Sequence, residues 1–204
     1  MSREIIAILR GVKPDEVLNI GEALVAAGID RIEVPLNSPE PLVSIATLAS
    51  ELAGRAQVGA GTVLTPEDVD AVQGAGGTLI VSPDCNPAVI DRSKALDMAS
   101  YPGVATPTEC FTALRHGADG LKFFPGSLIG AAGLSAIRAV LPAGTRTYAV
   151  GGAGPENFAE WFKAGVTGFG IGSALYKPGY SVAEVAQRAE TIVAAYDAAC
   201  PKGL

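Results

Sequence analysis

The stretch QVGAGTVLTPED, residues 57–68, joins two different periodicities. Its first part, QVGAGTV, is a short apolar run with β-branched residues and is typical of a buried strand. Thr65 then stands where a helix N-cap is expected, and Pro66 occupies the first helical position. The stretch therefore predicts one β-strand followed at once by an α-helix.

The same strand signal recurs along the whole chain. The other runs are EIIAILR, RIEVPL, TLIVS, MASYPGV, GLKFF, TYAV and GFGIG, and successive runs begin about 20–27 residues apart. This spacing leaves room for a helix after each strand, whereas strands joined by hairpins would begin fewer residues apart. The repeat therefore predicts eight strand–helix units.

Helix boundary signals fall between these runs. Ser38 and Pro39 predict an N-cap and first helical residue, and Thr106 with Glu109 forms a capping-box pattern. Three helices are predicted to stop at a glycine, namely Gly28, Gly117 and Gly165. A closing amphipathic helix is predicted over Val182–Ala199.

Eight such units without an interrupting linker predict a single domain over residues 1–204, folded as an α/β (β/α)8 TIM barrel. An open doubly wound sheet is the alternative. The first strand–helix turn, LRGVKPDE, lacks the G-x-G-x-x-G pattern of a dinucleotide-binding sheet, and this favours the barrel.

Composition narrows the class of function. Of the 204 residues, 49% are hydrophobic and 18% charged, which is typical of a folded domain with a sizeable core. The net charge of −6 and the lack of a basic stripe argue against nucleic-acid binding, although a local site can still bind an anionic small molecule. No apolar run is long enough to cross a bilayer, and the N-terminus lacks signal-peptide organisation, so we expect a cytoplasmic protein.

Cysteine and histidine offer little chemistry. The three cysteines, Cys85, Cys110 and Cys200, match no zinc spacing and are expected to be reduced thiols. The single histidine, His116, precedes a glycine at a predicted helix end, where a cation is favoured. A histidine triad or a histidine-rich metal site is therefore not expected.

In a (β/α)8 barrel the active site lies at the carboxyl ends of the strands. Functional residues are predicted at seven of these ends: Arg10, Glu33, Thr62, Pro83, Lys122, the pair Gly151 and Gly152, and the pair Gly172 and Ser173. An acid, two basic groups, a hydroxyl and two glycine-rich turns would then share one mouth.

Lys122 and Glu33 are the candidate catalytic residues. A strand lysine is often a snorkelling or salt-bridged residue, and a strand glutamate is often paired with a cation. The alternative is that Lys122, desolvated among Leu121, Phe123 and Phe124, is a Schiff-base nucleophile, because only a neutral amine attacks a carbonyl. Glu33, with a raised pKa, would then be the acid and base that such chemistry needs.

The remaining mouth residues suit an anionic substrate. The turns AVGGAGPE and GIGSA follow the last two predicted strands, where barrels often bind phosphate through backbone N–H groups. Ser173 would add a hydroxyl donor, and Arg10 suits a carboxylate, unless it simply pairs with Glu33. Thr62 can be either a substrate contact or an ordinary strand residue.

The chain resembles the class I 2-keto-3-deoxy-6-phosphogluconate/galactonate aldolases over nearly its whole length. The resemblance rests on IAILRG, IEVPLNSPE, VGAGTVL, LIVSP, LKFFPG, AVGG and GIGSALY, in family order. It implies a barrel that is usually homotrimeric, with no metal and no organic cofactor. It further implies that Lys122 forms the Schiff base, that Glu33 is the general acid/base, and that a phosphorylated keto acid is the substrate.

The resemblance also implies substrate-binding residues. Arg10 and Thr62 would lie near the substrate carboxylate, and Gly152, Gly172 and Ser173 near the phosphate. The pattern PLNSP and the residue Val150, where the phosphogluconate branch typically has threonine before Gly151, both look like the phosphogalactonate branch. The two substrates differ in configuration at C4, and one hydroxyl or methyl facing that carbon can decide between them. Pro83 and Val150 complete the candidate substrate contacts, and the very short N-terminus leaves open what closes the bottom of the barrel.

Overall fold

A computed structural model describes residues 3–201, in which parallel strands and helices alternate. The strands are β1 (Ile5–Ile8), β2 (Arg31–Pro35), β3 (Gln57–Gly61), β4 (Leu79–Val81), β5 (Ala99–Tyr101), β6 (Gly103–Val104), β7 (Leu121–Phe123), β8 (Thr147–Val150) and β9 (Gly168–Ile171). The helices are α1 (Pro14–Ala27), α2 (Pro41–Glu51), α3 (Pro66–Gly74), α4 (Pro87–Ala95), α5 (Pro107–Arg115), α6 (Gly126–Arg138), α7 (Phe158–Lys163) and α8 (Val182–Ala199). None of these helices has the combined length and apolar character needed to cross a membrane.

The strands form a closed ring, and the fifth strand of this ring is interrupted. Hydrogen-bonded neighbours run β5-β4-β3-β2-β1-β9-β8-β7-β6, and all pairings are parallel. The run MASYPGV forms both β5 and β6, separated only by Pro102, which has no N–H for the ladder. The predicted (β/α)8 barrel is confirmed, and the open-sheet alternative is wrong because β5 and β6, the two ends of this strand order, are halves of one run and close the ring.

Most predicted helix boundaries are confirmed. The side chains of Thr65 and Thr106 cap α3 and α5 in capping boxes, and α8 spans Val182–Ala199. Gly28, Gly117 and Gly165 follow α1, α5 and α7 with φ values of 91°, 85° and 91°, the left-handed conformation that favours glycine.

The predicted start of the second helix at Ser38 and Pro39 is wrong. Helix α2 begins at Pro41, after Glu40 with a φ of 40°. The Ser38 hydroxyl has a different partner, because its Oγ accepts a hydrogen bond of 2.9 Å from the Gly11 N–H. A side chain that could cap the helix therefore ties the loop after β2 to the loop after β1.

Strand alternation divides the core into two parts. Outward-facing side chains such as Ile32, Leu121 and Phe123 pack beneath the helices in the larger cluster. Inward-facing side chains form a second cluster inside the barrel: Ile6, Ile8, Leu79, Val81, Tyr101, Tyr148 and Val150. Because successive residues of a strand point to opposite faces, the inward set also includes Glu33 and Lys122.

A polar network fills the amino-terminal end of the barrel. Glu4 accepts hydrogen bonds from Arg31, from Arg146 at 2.6 Å and from the Tyr148 hydroxyl at 2.6 Å. The Tyr148 ring stacks edge-on against Tyr101 at a centroid distance of 5.1 Å. Side chains from β2 and β8, and from the residues just before β1 and β8, therefore fill the bottom of the barrel. Residues 1–2 and 202–204, which the predicted domain over residues 1–204 includes, lie outside the described residues.

Candidate active site

A cavity of about 380 Å³ opens at the carboxyl ends of the strands. All ten residues predicted for the site line it: Arg10, Glu33, Thr62, Pro83, Lys122, Val150, Gly151, Gly152, Gly172 and Ser173. They come from seven different strand ends, so closure of the barrel alone brings them together. The strand lysine and strand glutamate that the sequence singled out therefore share one cavity.

Lys122 is the central residue of β7 and points into the barrel. Only 6% of it is exposed, and its Nζ lies 4.8 Å from the centroid of the Phe124 ring. Leu121 and Phe123 face the helices instead, so the expectation that they surround the amine is wrong. The period of two residues in a strand separates immediate neighbours and brings together residues two apart.

The environment of Lys122 favours its neutral form. Burial lowers the pKa of this amine, the positive charge of Arg10 acts in the same direction, and the carboxylate of Glu33 opposes both. Burial is the largest of these effects. An amine in such a place spends more time unprotonated than a surface lysine does, and it is correspondingly better suited to attack a carbonyl.

Glu33 lies on β2 with 1% of its surface exposed. Burial raises the pKa of its carboxyl to about 7, although Lys122 and Arg10 both act to lower it. Its Oε2 has no hydrogen-bond partner among residues 3–201. A carboxyl group with a pKa near neutrality can both release and accept a proton at the same pH.

Gly61 provides the space that Glu33 occupies. A Cβ at this position of β3 would lie 1.9 Å from Glu33 Oε2 and 2.3 Å from its Cδ. No side chain larger than hydrogen fits beside the carboxyl group in this rotamer. Gly61 was not among the predicted site residues, although the run VGAG was a usable signal, since glycine inside a strand often marks a close approach.

Arg10 follows β1 and reaches across the mouth. Its guanidinium donates to Asn37 Oδ1 at 2.5 Å and to Thr62 Oγ1 at 3.4 Å. The alternative of an ion pair with Glu33 is not observed, and Arg10 forms no salt bridge within the described part of the chain. Thr62 holds a left-handed backbone with a φ of 58°, which is uncommon for a β-branched residue.

Two glycine-containing turns, after β8 and after β9, also line the cavity. Gly151 and Gly152 have φ values of 87° and 83°, so this turn after β8 favours glycine. Gly172 and Ser173 follow β9. Because the glycines carry no side chain, the backbone N–H groups of these turns can approach an anionic ligand closely.

Several cavity residues were not predicted. Glu156 and the small residues Ala153, Gly170 and Ala174 also line the cavity, and Asn37 contacts Arg10 from the side. Asn37 and Glu156 lie on loops whose course the sequence does not specify, whereas Phe124, which was expected beside the Lys122 amine, is confirmed there. His116 lies elsewhere, with its Nδ1 2.7 Å from Asp91 Oδ1. Among the described residues, no group of three or more histidine, cysteine or acidic side chains is placed to hold a metal ion.

Fold and cavity together define a (β/α)8-barrel enzyme with a buried amine and a buried carboxyl group at its mouth. A family model described as "Aldolase: KDPG and KHG aldolase" matches residues 1–192, and the chain belongs to this family.

Individual relatives are consistent with this assignment. The chain is 49% identical to a protein of Rhizobium meliloti named "Probable 2-dehydro-3-deoxy-6-phosphogalactonate aldolase", over 97% of this chain and 93% of that one. It is 48% identical to the Escherichia coli "2-dehydro-3-deoxy-6-phosphogalactonate aldolase", over 94% of each chain. A solved structure titled "Native KDPGal structure" superposes with a TM-score of 0.96 at 47% identity, covering 98% of this chain and 97% of that one.

Proposed function

We propose that this protein is a class I aldolase that cleaves 2-dehydro-3-deoxy-6-phosphogalactonate to pyruvate and D-glyceraldehyde 3-phosphate. The observation that carries the proposal is the pairing of Lys122, whose pKa is lowered, with Glu33, whose pKa is raised to about 7, in one cavity. The substrate is taken from the names of the relatives that match the chain over 94% or more of its length. The proposed enzyme domain covers residues 1–204.

The first half of the mechanism builds an electron sink. The neutral amine of Lys122 attacks C2 of the keto acid to give a carbinolamine, which loses water to form an iminium ion. The positive nitrogen then withdraws electrons from the bond between C3 and C4. No metal or organic cofactor is required, because the iminium itself accepts the electron pair.

The second half is proton transfer by Glu33. Its carboxylate takes the proton of the C4 hydroxyl, directly or through a water, and the C3–C4 bond breaks to release the aldehyde. The electron pair moves into an enamine, which is protonated at C3. Water then adds to C2 and hydrolysis frees pyruvate and Lys122. A pKa near 7 suits a group that must act alternately as base and acid.

The substrate is proposed to lie across the cavity between its two polar sides. Its carboxylate faces Arg10 and Thr62, and its phosphate faces the turns that contain Gly151, Gly152, Gly172 and Ser173. Pro83 and Val150 also line the cavity, and we assign them contacts with the carbon chain near C4.

The direct test is trapping of the covalent intermediate. The protein is incubated with pyruvate, reduced with borohydride, and the modified residue is mapped by peptide mass spectrometry. We expect one stable adduct on Lys122 and none after Lys122→Ala, which should also abolish turnover. Adducts scattered over surface lysines, or comparable turnover by the variant, would overturn the assignment.

Other functions predict different results. Cleavage of the phosphogluconate epimer at an equal or higher rate would indicate that enzyme or a dual-specificity one, and loss of activity with a chelator would indicate a metal-dependent aldolase. Binding of the sugar phosphate without pyruvate release would indicate a non-catalytic barrel. The phosphogalactonate epimer is favoured because Val150 precedes Gly151, as in the branch that the chain resembles.

We further propose a cytoplasmic homotrimer. Leu42, Val43 and Leu64 are 38%, 50% and 46% exposed near the start of α2 and α3, an apolar area that a second copy could cover. Light scattering after size-exclusion chromatography should give three times the mass of one chain. Acidic substitutions at Leu42 and Val43 should reduce that mass, and an unchanged trimer would show that the interface lies elsewhere.

A further inference from the structure

The loop after β2 holds the Arg10 guanidinium from the side. Asn37 Oδ1 accepts a hydrogen bond of 2.5 Å from one terminal nitrogen, and Thr62 Oγ1 accepts a longer one of 3.4 Å from the other. Next to this contact the Gly11 N–H donates to Ser38 Oγ at 2.9 Å. Two adjacent bonds thus fix the loop after β1 to the loop after β2, and Asn37 is the residue that acts on the guanidinium itself.

Both acceptors on Arg10 are uncharged. Five other arginines in residues 3–201 meet a carboxylate within salt-bridge distance, namely Arg3, Arg31, Arg55, Arg92 and Arg146. A carboxylate at position 37 would be a stronger acceptor for a guanidinium than an amide oxygen is. It would also cancel the positive charge that an anionic substrate needs to meet at this side of the mouth.

We propose that Asn37 is a positioning residue that orients Arg10 toward the substrate carboxylate without neutralising it. The amide oxygen accepts a hydrogen bond from the guanidinium, as a carboxylate would, but it adds no negative charge. The positive charge of Arg10 therefore remains available to the ligand. This inference rests on the proposed function, since it assumes an anionic keto acid in the cavity.

The same charge also reaches the catalytic pair. The charged groups that face Lys122 are Glu33 from β2 and Arg10 from the loop after β1, with Glu156 at the rim of the cavity and Lys177 in the adjoining pocket. The Arg10 charge lowers the pKa of Lys122, and a carboxylate beside Arg10 would offset that effect.

Two substitutions at position 37 distinguish the orientation of Arg10 by a hydrogen bond from the effect of a negative charge beside it. Asn37→Ala removes the acceptor and leaves Arg10 charged, so KM for the phosphorylated keto acid should rise by about tenfold, as expected when a hydrogen bond to a charged group is lost. Asn37→Asp keeps an acceptor of the same length but adds a negative charge. It should raise KM at least as much and should also move the pH dependence of pyruvate adduct formation to higher pH, whereas Asn37→Ala should move it little.

Asn19→Asp is the matched control. Asn19 is an exposed residue of α1 and gives the same change in net charge away from the mouth. It should leave KM and the pH profile as in the parent. Thermal unfolding of all three variants shows whether any of them has lost the fold, and Asn37 is exposed, so none is expected to do so.

These measurements separate the role of Asn37 from the proposed aldolase function. If the parent forms the Lys122 adduct and cleaves the substrate, but Asn37→Asp keeps its KM, the assigned role of Asn37 is wrong, because hydrogen bonding alone would then suffice. If Asn37→Ala leaves KM unchanged, the role is wrong as well. If the parent forms no adduct with pyruvate, the proposed function has failed, and the inference fails with it for that identifiable reason.

Discussion

Replacement of Gly61 by alanine tests whether the position of the Glu33 carboxyl group governs catalysis. The new Cβ would lie 1.9 Å from Glu33 Oε2, whereas ordinary contacts begin near 3.4 Å. The carboxyl group must therefore move by about 1.5 Å or change rotamer. A displacement of this size is enough to cost about 10²-fold in rate, and the full loss of acid–base catalysis costs about 10²–10⁴-fold.

We therefore expect Gly61→Ala to lower kcat by at least about 10²-fold. Overpacking in the barrel interior should also cost ~1–3 kcal/mol of unfolding free energy. The borohydride-trapped adduct on Lys122 should persist, because that amine is not the displaced group. Pyruvate release, adduct formation and thermal unfolding measured on the same preparation separate these effects.

Gly74→Ala is the control. Gly74 ends α3, and a Cβ there meets no atom within 4 Å. It should behave as the parent in all three assays. A Gly61→Ala enzyme that is folded and turns over within about threefold of this control would show that the carboxyl group tolerates the displacement, which would refute the role given to Glu33.

Three other predictions concern the ionisation of Glu33, the preference between the two C4 epimers, and the polar network at the bottom of the barrel. The pKa of Glu33 is about 7 in the fold against 4.5 ordinarily, so the folded state retains a proton that the unfolded chain releases, and parent stability should fall as the pH rises from about 4.5 to about 7. The Glu33→Gln side chain cannot titrate, so this variant should gain stability relative to the parent across that window, by up to roughly 3 kcal/mol at pH 8 in chemical denaturation. Its pyruvate release should be much slower. Parallel plots of unfolding free energy against pH for the two proteins would contradict the buried ionisation of Glu33. Val150→Thr should shift the ratio of kcat/KM for the two C4 epimers toward phosphogluconate by ~1–3 kcal/mol, and an unmoved ratio would assign specificity elsewhere. Glu4→Gln leaves Arg31 and Arg146 without their carboxylate and should lower stability by ~2 kcal/mol, seen as a lower Tm, while Lys122 adduct formation stays intact.

The barrel could be predicted because its signals are local. Each strand–helix unit can be recognised from an apolar run and a helix-capping signal, such as Thr65 and Pro66 at the start of α3. The failure at Ser38 has an equally specific cause. A serine before a proline is a sound capping signal, but the Ser38 hydroxyl is taken by the Gly11 N–H, a partner 27 residues away. Only the approach of two loops in space makes that bond available.

The candidate site could be predicted in membership but not in arrangement. Carboxyl ends of barrel strands must converge, so residues such as Lys122 and Glu33 were expected at one mouth, and the structure brings them into one cavity. The sequence did not indicate which atoms surround these two side chains. Leu121 and Phe123 flank Lys122 in sequence yet face away from it, and Phe124 provides the contact.

The sequence by itself determined the repeat of strands and helices, the class of barrel and the residue types at its mouth, because periodicity, caps and strand ends are properties of short segments. Only the tertiary structure decided the directions in which the pKa values of Lys122 and Glu33 are shifted, the need for glycine at position 61 and the contact of Asn37 with Arg10. These depend on burial and on distances between residues far apart in the chain. Electrostatics and steric exclusion act through space, and the closure of the ring is what sets those distances.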